Sequence, residues 1–337
     1  MIGVGVLGLG RIGGAHAHRL ATQVPGARLS AVCDPDRGAT APFEGTGTTA
    51  FDDPVALVTA AEVDAVVIAS PGFLHVEQLL ACIEAGKPVL CEKPLAADPE
   101  DGLTVVEAEV AAGRRWVQLG FMRRFDPAFR DLVAAVDAGE VGTPLMLHCV
   151  HRNPSVRPSY VSENALDDSL SHEIDVVRWM LGEEIVSSQV VMPRRSPEAA
   201  EGLDDPKFVF LRTESGVLVT VEMYVHCRYG YEVRCEVVGS DGTVTTADGA
   251  GLVRRHAGRA STAVPASWGE RFDASYRLEL SAWVAAAARG EVGGPSVWDG
   301  YAAATVARRT VEAYRTGLEQ TCAVGAAPAL YATGGAR

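Results

Sequence analysis

No stretch of this sequence stays apolar for the roughly 18 residues that a membrane span needs, and no run of five or six like charges occurs. The seven cysteines (33, 82, 91, 149, 227, 235 and 322) never form a C-x-x-C pair, and no internal repeat is found. These absences exclude a helical membrane protein, a charged binding tail, a disulfide framework and a solenoid. Most cysteines lie inside apolar runs, where Cys behaves as a small hydrophobe, as suits a reducing compartment. The chain opens on Ile2-Gly3-Val4-Gly5-Val6-Leu7 with no basic region or cleavage site, so no signal peptide and a cytoplasmic location are expected. Lys and Arg number 30 against 43 Asp and Glu, a net charge of −13, which repels phosphate backbones and anionic lipid. Neither nucleic acid nor membrane is an expected partner.

What is present is a globular composition, 47% hydrophobic and 22% charged, over 337 residues, enough for two domains. In the first part, apolar runs at 2–7, 28–33, 63–69, 88–91 and 116–119 alternate with helical patterns at 11–23, 73–85 and 99–112. Strand, helix, strand at this spacing predicts a parallel sheet with right-handed crossovers. After about Phe121 the pattern changes. Runs at 207–213, 217–226, 231–238 and 243–246 follow one another through turn signals such as Glu214-Ser215-Gly216 and Ser240-Asp241-Gly242, which predicts an antiparallel meander. Within it Val217, Val219, Val221, Met223 and Val225 form one apolar face; the other face is mixed, either wet or an oligomer interface. Helices are expected again at 276–289 and 299–316, and the Ala-, Pro- and Gly-containing tail from about Ala323 is expected to be loosely ordered.

Gly8-Leu9-Gly10-Arg11-Ile12-Gly13 directly follows a predicted strand and opens a helical pattern. In such a turn the first glycine permits the bend, the second admits a pyrophosphate to the backbone, and the third lets helix pack on strand. The N–H groups that begin the helix, at Arg11, Ile12 and Gly13, then face the phosphates. The second strand ends at Asp34, 21 residues past Gly13, where an acid can bind the ribose hydroxyls. A carboxylate there accepts from a 2′-hydroxyl and repels a 2′-phosphate, favouring NAD over NADP, with Arg37 close enough to soften the preference. Ser70 and His75, after the third long strand, lie toward the cofactor, whereas His16 and His18 read as ordinary residues of the first helix.

Ligands of such sheets bind beyond the carboxyl ends of the strands. Glu92, Lys93 and Pro94 in "VLCEKPLA" sit just there, and the proline restricts the backbone of Lys93. Further on, residues 165–181 place Leu166, Leu170, Ile174, Val177 and Leu181 within an arc of about 80°, at 100° per residue. Asp168, His172, Asp175 and Trp179 fall on the opposite side. An acid and a histidine four residues apart can touch, the carboxylate orienting the ring. Either these are a solvent-facing pair and an exposed lysine, or they form one catalytic set. Oxidation of a secondary alcohol needs a base for the proton and a cation for the developing alkoxide, which His172 and Lys93 can supply.

At this point the sequence resembles the glucose–fructose oxidoreductase/inositol dehydrogenase family, from Gly8 to roughly Thr310. The glycine turn, Asp34, "CEKPLA" and Asp168-x-x-x-His172 are family-wide marks; "GFMRRFDP", "HCVHRNP", "HEIDVVRWM", "RYGYEVRCEVVG" and "GPSVWDGYAAA" are those of its inositol branch. The resemblance implies an α/β protein: a Rossmann domain over 1–122, and over 123–325 an α/β domain on a large, mainly antiparallel open sheet. The C-terminal helices are expected to pack back toward the first domain. It implies Lys93, Asp168 and His172 as a catalytic triad with His172 as base, and Arg123, His151, Asn153 and Tyr231 lining a polyol site. It implies NAD-dependent oxidation of myo-inositol at an axial hydroxyl, commonly by a tetramer. Another inositol or sugar, or a catalytically silent NAD sensor, are the other readings. Retention of all three triad residues argues against the sensor. The loop Ser155–Tyr160 fits no pattern and is expected to border the substrate. No metal is expected, because Cys149 and His151 share one face of a strand while His148 points away, and two same-face ligands lack a third.

Overall fold

The computed structural model describes residues 1–45, 47–246 and 253–332. The chain divides into two compact units: Met1–Phe125 with Ser275–Ala304 and the described part of Ala326–Ala336, and Asp126–Ala274 with Thr305–Gly325.

The first unit is built on a six-stranded parallel sheet of β1 (Ile2–Leu7), β2 (Ala27–Cys33), β3 (Thr49–Phe51), β4 (Ala65–Ile68), β5 (Val89–Glu92) and β6 (Val117–Gly120), in the order β3-β2-β1-β4-β5-β6. The order reverses between β1 and β4, the switch point at which doubly wound sheets open a ligand crevice. The longer helices between the strands are α1 (Arg11–Thr22), α2 (His75–Glu84) and α3 (Pro99–Ala112). The sequence sets the limits of α3 locally. The Asp98 side chain accepts from the Glu100 N–H, Pro99 occupies the first turn, and Gly113 ends the helix at φ 67°. Val4, Val6, Leu20, Val32, Val67 and Leu90 make one core with Leu280, Trp283 and Val284 of the later helix Asp273–Ala287. Trp283 is completely buried, so Trp283→Ala removes about 3–5 kcal/mol.

The tail expected to be loose is anchored as far as residue 332. Ala329–Ala332 is helical, and the Tyr331 hydroxyl donates to Glu109 Oε2 at 2.9 Å. One aromatic with a buried acceptor suffices to dock it; the remaining residues lie outside those described.

The second unit holds α4 (Pro127–Asp137), β7 (Pro144–Arg152), α5 (Ser171–Leu181), β8 (Ile185–Val191), β9 (Lys207–Thr213), β10 (Leu218–Tyr224), β11 (Glu232–Gly239) and β12 (Thr243–Thr245). A small hairpin of β13 (Arg254–His256) and β14 (Arg259–Ser261) follows, then β15 (Gln320–Thr321). Seven strands form one mixed sheet, β12-β11-β7-β10-β9-β8-β15. The expected meander is therefore interrupted. β7 lies between β10 and β11, parallel to the first and antiparallel to the second. The link 225–231 passes the end of β7 and binds it on both sides: the Asn153 N–H donates to Tyr224 O at 2.9 Å, and the Cys227 N–H to Asn153 O at 3.0 Å. The alternation in β10 is as read, with Val219, Val221 and Met223 fully buried. On the outer face Arg152 binds both oxygens of Glu222 at 2.7 Å and reaches Glu232 at 2.9 Å. Among the described residues no helix is long and apolar enough to cross a membrane.

Candidate active site

The glycine turn satisfies each requirement of a dinucleotide cradle by a separate geometric fact. Gly8 has φ +84°, and a Cβ on it would lie 2.6 Å from Ser70 Cα. A Cβ on Gly13 would lie 2.0 Å from the Gly8 carbonyl oxygen, so only glycine lets α1 approach β1. A Cβ on Gly10 would meet nothing within 4 Å, which leaves open space where a pyrophosphate must approach. No side chain caps α1, so its N–H groups at Ile12 and Gly13 and the positive end of the helix are presented to an anion. The residues present fit a dinucleotide.

Asp34 stands at the carboxyl end of β2. Its Oδ2 accepts from the Leu9 N–H at 2.6 Å and its Oδ1 from the Asp36 N–H at 2.8 Å, which orients the carboxylate beside the glycine turn. Arg37 pairs with Asp52, both largely exposed. The cation that could favour a 2′-phosphate thus has its own carboxylate.

At the ends of β4 and β5, Ser70, His75, Glu92 and Lys93 come together. The Ser70 hydroxyl donates to Gln78 Oε1 at 2.7 Å. His75 is 1% exposed, with Nδ1 2.7 Å from the Pro94 carbonyl and Nε2 2.9 Å from the Ser70 carbonyl. Burial pushes its pKa below the usual value, against the pull of the two carbonyls and Glu92. Both ring nitrogens therefore face backbone, and His75 bears on the cofactor crevice through the Ser70 and Pro94 segments that it holds. Glu92 is buried and accepts at Oε1 from His16 Nε2 at 2.7 Å. Sequence reading took His16 for an ordinary helix residue; nothing in the pattern of α1 signals a partner 76 residues away. Lys93 follows, half-buried, and its peptide to Pro94 is cis. Arg123, also in this unit, is 1% exposed, and its neighbour Arg124 pairs with Asp299 at 2.9 Å.

The second unit carries His151, Asn153, Asp168, His172 and Tyr231, and contacts join His151 to Glu173 and Tyr231. His151, on the buried face of β7, has Nδ1 3.0 Å from the Glu173 carboxylate. The Tyr231 ring stands edge-on to it, with centroids 5.9 Å apart. No local signal in the sequence marks Glu173, because its partner His151 lies 22 residues earlier on a different element. Asp168 and His172, expected on one face of a regular helix, lie in two different helical segments, Asp168 in the turn Ala165–Ser169 and His172 in α5. Ala165–Ser169 is a π-helical turn in which the Leu170 N–H reaches the Ala165 carbonyl at 3.0 Å. A count at 100° per residue fails across such a turn. Both sides of α5 are in fact buried, His172 at 8% exposure and Asp175 at 0% along with Ile174 and Val177. The unassigned loop 155–160 is tied to this turn, with the Tyr160 hydroxyl 3.0 Å from Ser169 Oγ.

Parts of the longer motifs are structural. Asp126 of "GFMRRFDP" caps α4 and binds Arg271 at 2.7 Å. In "GPSVWDGYAAA", the Ser296 hydroxyl and the Asp299 carboxylate cap a helix start reciprocally. His148 binds Thr220 on the exposed face of β7, away from His151. Among the described residues no group of three or more His, Cys, Asp or Glu side chains could hold a metal ion.

Comparison with known proteins agrees with this architecture. Residues 2–121 match the model of an oxidoreductase family with an NAD-binding Rossmann fold, and residues 129–245 match the GFO/IDH/MocA C-terminal domain. Inositol 2-dehydrogenase 3 of Saccharopolyspora erythraea is 47% identical over 97% of both chains. The chain belongs to the GFO/IDH/MocA oxidoreductase family. It is an NAD-dependent oxidoreductase of that family. An inositol 2-dehydrogenase of Burkholderia cenocepacia is 45% identical over 97% of this chain and 98% of its own. Among solved structures, myo-inositol dehydrogenase of Lactobacillus casei, in complex with NAD(H) and myo-inositol, superposes with a TM-score of 0.94 at 35% identity, over 98% of this chain and 99% of its own. The scyllo-inositol dehydrogenase of the same organism, with NAD(H) and scyllo-inositol, gives 0.87 at 25% identity over 96% and 99%.

Proposed function

We propose that this chain oxidises myo-inositol at its axial hydroxyl to the 2-keto product. The observation that carries the reading is identity of 45–48% with several inositol 2-dehydrogenases along nearly the whole chain. Bound NAD supplies an acceptor for the hydride that leaves carbon. The chain supplies the rest. His172 takes the hydroxyl proton, Asp168 orients its ring, and the Lys93 ammonium stabilises the alkoxide as charge develops on oxygen. Arg123, His151, Asn153 and Tyr231 line the polyol site, where fixed donors and acceptors read hydroxyl orientation. Gly8, Gly10, Arg11, Ile12 and Gly13 hold the pyrophosphate and Asp34 the adenosine ribose, with Ser70, His75, Glu92 and Lys93 toward the nicotinamide. Residues 1–122 serve the cofactor and 123–325 the substrate. A cytoplasmic homotetramer is the assembly this reading carries.

The likeness to scyllo-inositol dehydrogenase supports a second reading, the same chemistry on that isomer, but at lower identity. NADH appearance with myo-inositol, scyllo-inositol, chiro-inositol and D-glucose discriminates them. Turnover strongest on myo-inositol is expected; turnover on none, with NAD still bound, overturns the reading.

A further inference from the structure

We propose that His16 and His75 are positioning residues that clamp the Glu92-Lys93-Pro94 turn, and so set where the Lys93 ammonium stands. The inference rests on the reading of Lys93 as catalytic.

The turn is held on both sides of Lys93 by imidazoles that are almost wholly buried, at 0% exposure for His16 and 1% for His75. On one side His16 Nε2 donates to Glu92 Oε1 at 2.7 Å. A carboxylate in that position accepts strongly, and the charge-assisted bond is short and directional. On the other side His75 Nδ1 reaches the Pro94 carbonyl at 2.7 Å, with its far nitrogen against the Ser70 carbonyl. Lys93 lies between two anchored residues.

The anchors belong to the nucleotide-binding frame. His16 lies in α1, five residues beyond the first residue of the helix that carries the glycine turn. His75 opens α2, and its second ring nitrogen lies 2.9 Å from the carbonyl oxygen of Ser70, the residue against which Gly8 packs. The clamp therefore refers Lys93 to the elements that cradle the pyrophosphate. Two further features serve the same geometry. Tyr276 packs edge-on to His16, with centroids 5.6 Å apart, and fixes the ring. Gly120 leaves room for the carboxylate, since a Cβ there would lie 3.0 Å from Glu92 Oε2. A cation aimed at a developing alkoxide works only when preorganised, and a misplacement of about 1 Å costs on the order of 100-fold in rate.

The test uses full-length protein, with kcat and KM for myo-inositol, NAD affinity by calorimetry, and thermal midpoints. His16→Ala is expected to lower kcat about 10- to 100-fold, with KM for myo-inositol and NAD affinity within about threefold of wild type. His16→Gln, whose amide can still donate to Glu92, is expected to recover most of the loss; His16→Asn is too short and should not. In a Glu92→Met background, which leaves no acceptor for His16, His16→Ala should cost less than about twofold more, because the two act through one bond. His75→Ala should likewise act on kcat. If His16→Ala fails to fold, the comparison of Gln with Asn decides. Equal kcat for those two, or full additivity with Glu92→Met, overturns the clamp. Lys93→Met is the control for the underlying reading. Turnover near wild type in Lys93→Met would sink the role of Lys93 itself, whereas loss there with His16 variants at wild-type kcat would sink only the clamp.

Discussion

Gly10 and Gly13 are three residues apart in one turn, and alanine at each should fail in opposite ways. A methyl group on Gly13 would sit 2.0 Å from the Gly8 carbonyl oxygen and 3.0 Å from Ala69 Cβ. The first of these is backbone and cannot step aside, so α1 must move off β1. Overpacking of this kind costs about 1–3 kcal/mol, and the loss should appear as a lower thermal midpoint without any cofactor present. Gly10 has φ −59°, open to any residue, and space around its missing side chain. Gly10→Ala should therefore leave stability within about 0.5 kcal/mol, the range of surface substitutions. The methyl group instead occupies the approach to the backbone that a pyrophosphate needs. A lost contact worth about 2–3 kcal/mol weakens NAD by roughly 30- to 150-fold, at 1.4 kcal/mol per tenfold. Calorimetric titration with NAD and thermal denaturation of the cofactor-free protein separate the two effects. A Gly10→Ala protein that binds NAD like wild type, or that melts early without NAD, refutes the assignment of the cradle.

Three further outcomes follow from buried polar groups. Glu109 accepts from the Trp116 and Val117 N–H groups and from Tyr331, yet burial pushes its pKa above the usual carboxylate value. The folded state thus disfavours its charge once pH rises past about 4.5, so Glu109→Gln should match or exceed wild-type stability at pH 7, while Glu109→Ala loses about 2–4 kcal/mol by orphaning two N–H groups; chemical denaturation of both decides. His75 has a lowered pKa, so its contribution is fully present above about pH 6.5 and is lost as pH falls, when the unfolded chain takes up a proton first. The slope, at most about 1.4 kcal/mol per pH unit, should flatten in His75→Gln when midpoints are compared between pH 7.5 and 5.5. Glu173 fixes the ring of His151, so Glu173→Ala should raise KM for myo-inositol about tenfold or more, by analogy with lost orienting partners elsewhere, and leave NAD affinity unchanged; an unaltered KM would remove Glu173 from the site.

How far the sequence could be read depended on the range of the interaction. The glycine turn, Asp34 and the caps of α3 are local, and the local chemistry of φ angles and free N–H groups is written in consecutive residues. The alternation of β10 was legible because one face is buried along its whole length. Strand order was not. β7 enters between β10 and β11 because Leu147, Cys149 and His151 belong in the middle of a buried face, a choice among distant partners that short turns do not encode. The same holds for His16 with Glu92, and for Trp283, which joins a core whose strands lie roughly 190 to 280 residues earlier. The π-helical turn at Ala165–Ser169 defeated an angular count that assumed a regular helix.

The second unit separates what must stay from what can vary. His151 stands on a strand near the centre of the sheet, and His172 on a buried helix. Sites on such elements hold their geometry better than sites on loops. The loop 155–160 is different, exposed at Ser155 and at 157–159 and returning to the frame through Tyr160 and Ser169. On the reading that this loop borders the substrate, changes in it reshape contacts to hydroxyl groups and leave the proposed proton-transfer residues, Asp168 and His172, where they are. Isomer preference should accordingly respond to the loop. Tyr160→Phe, which deletes only the hydroxyl bonded to Ser169, is expected to shift the ratio of kcat/KM for myo- and scyllo-inositol by several-fold, with the pH profile of kcat unchanged. A shifted pH profile with a constant isomer ratio would place Tyr160 with the chemistry and take specificity away from the loop.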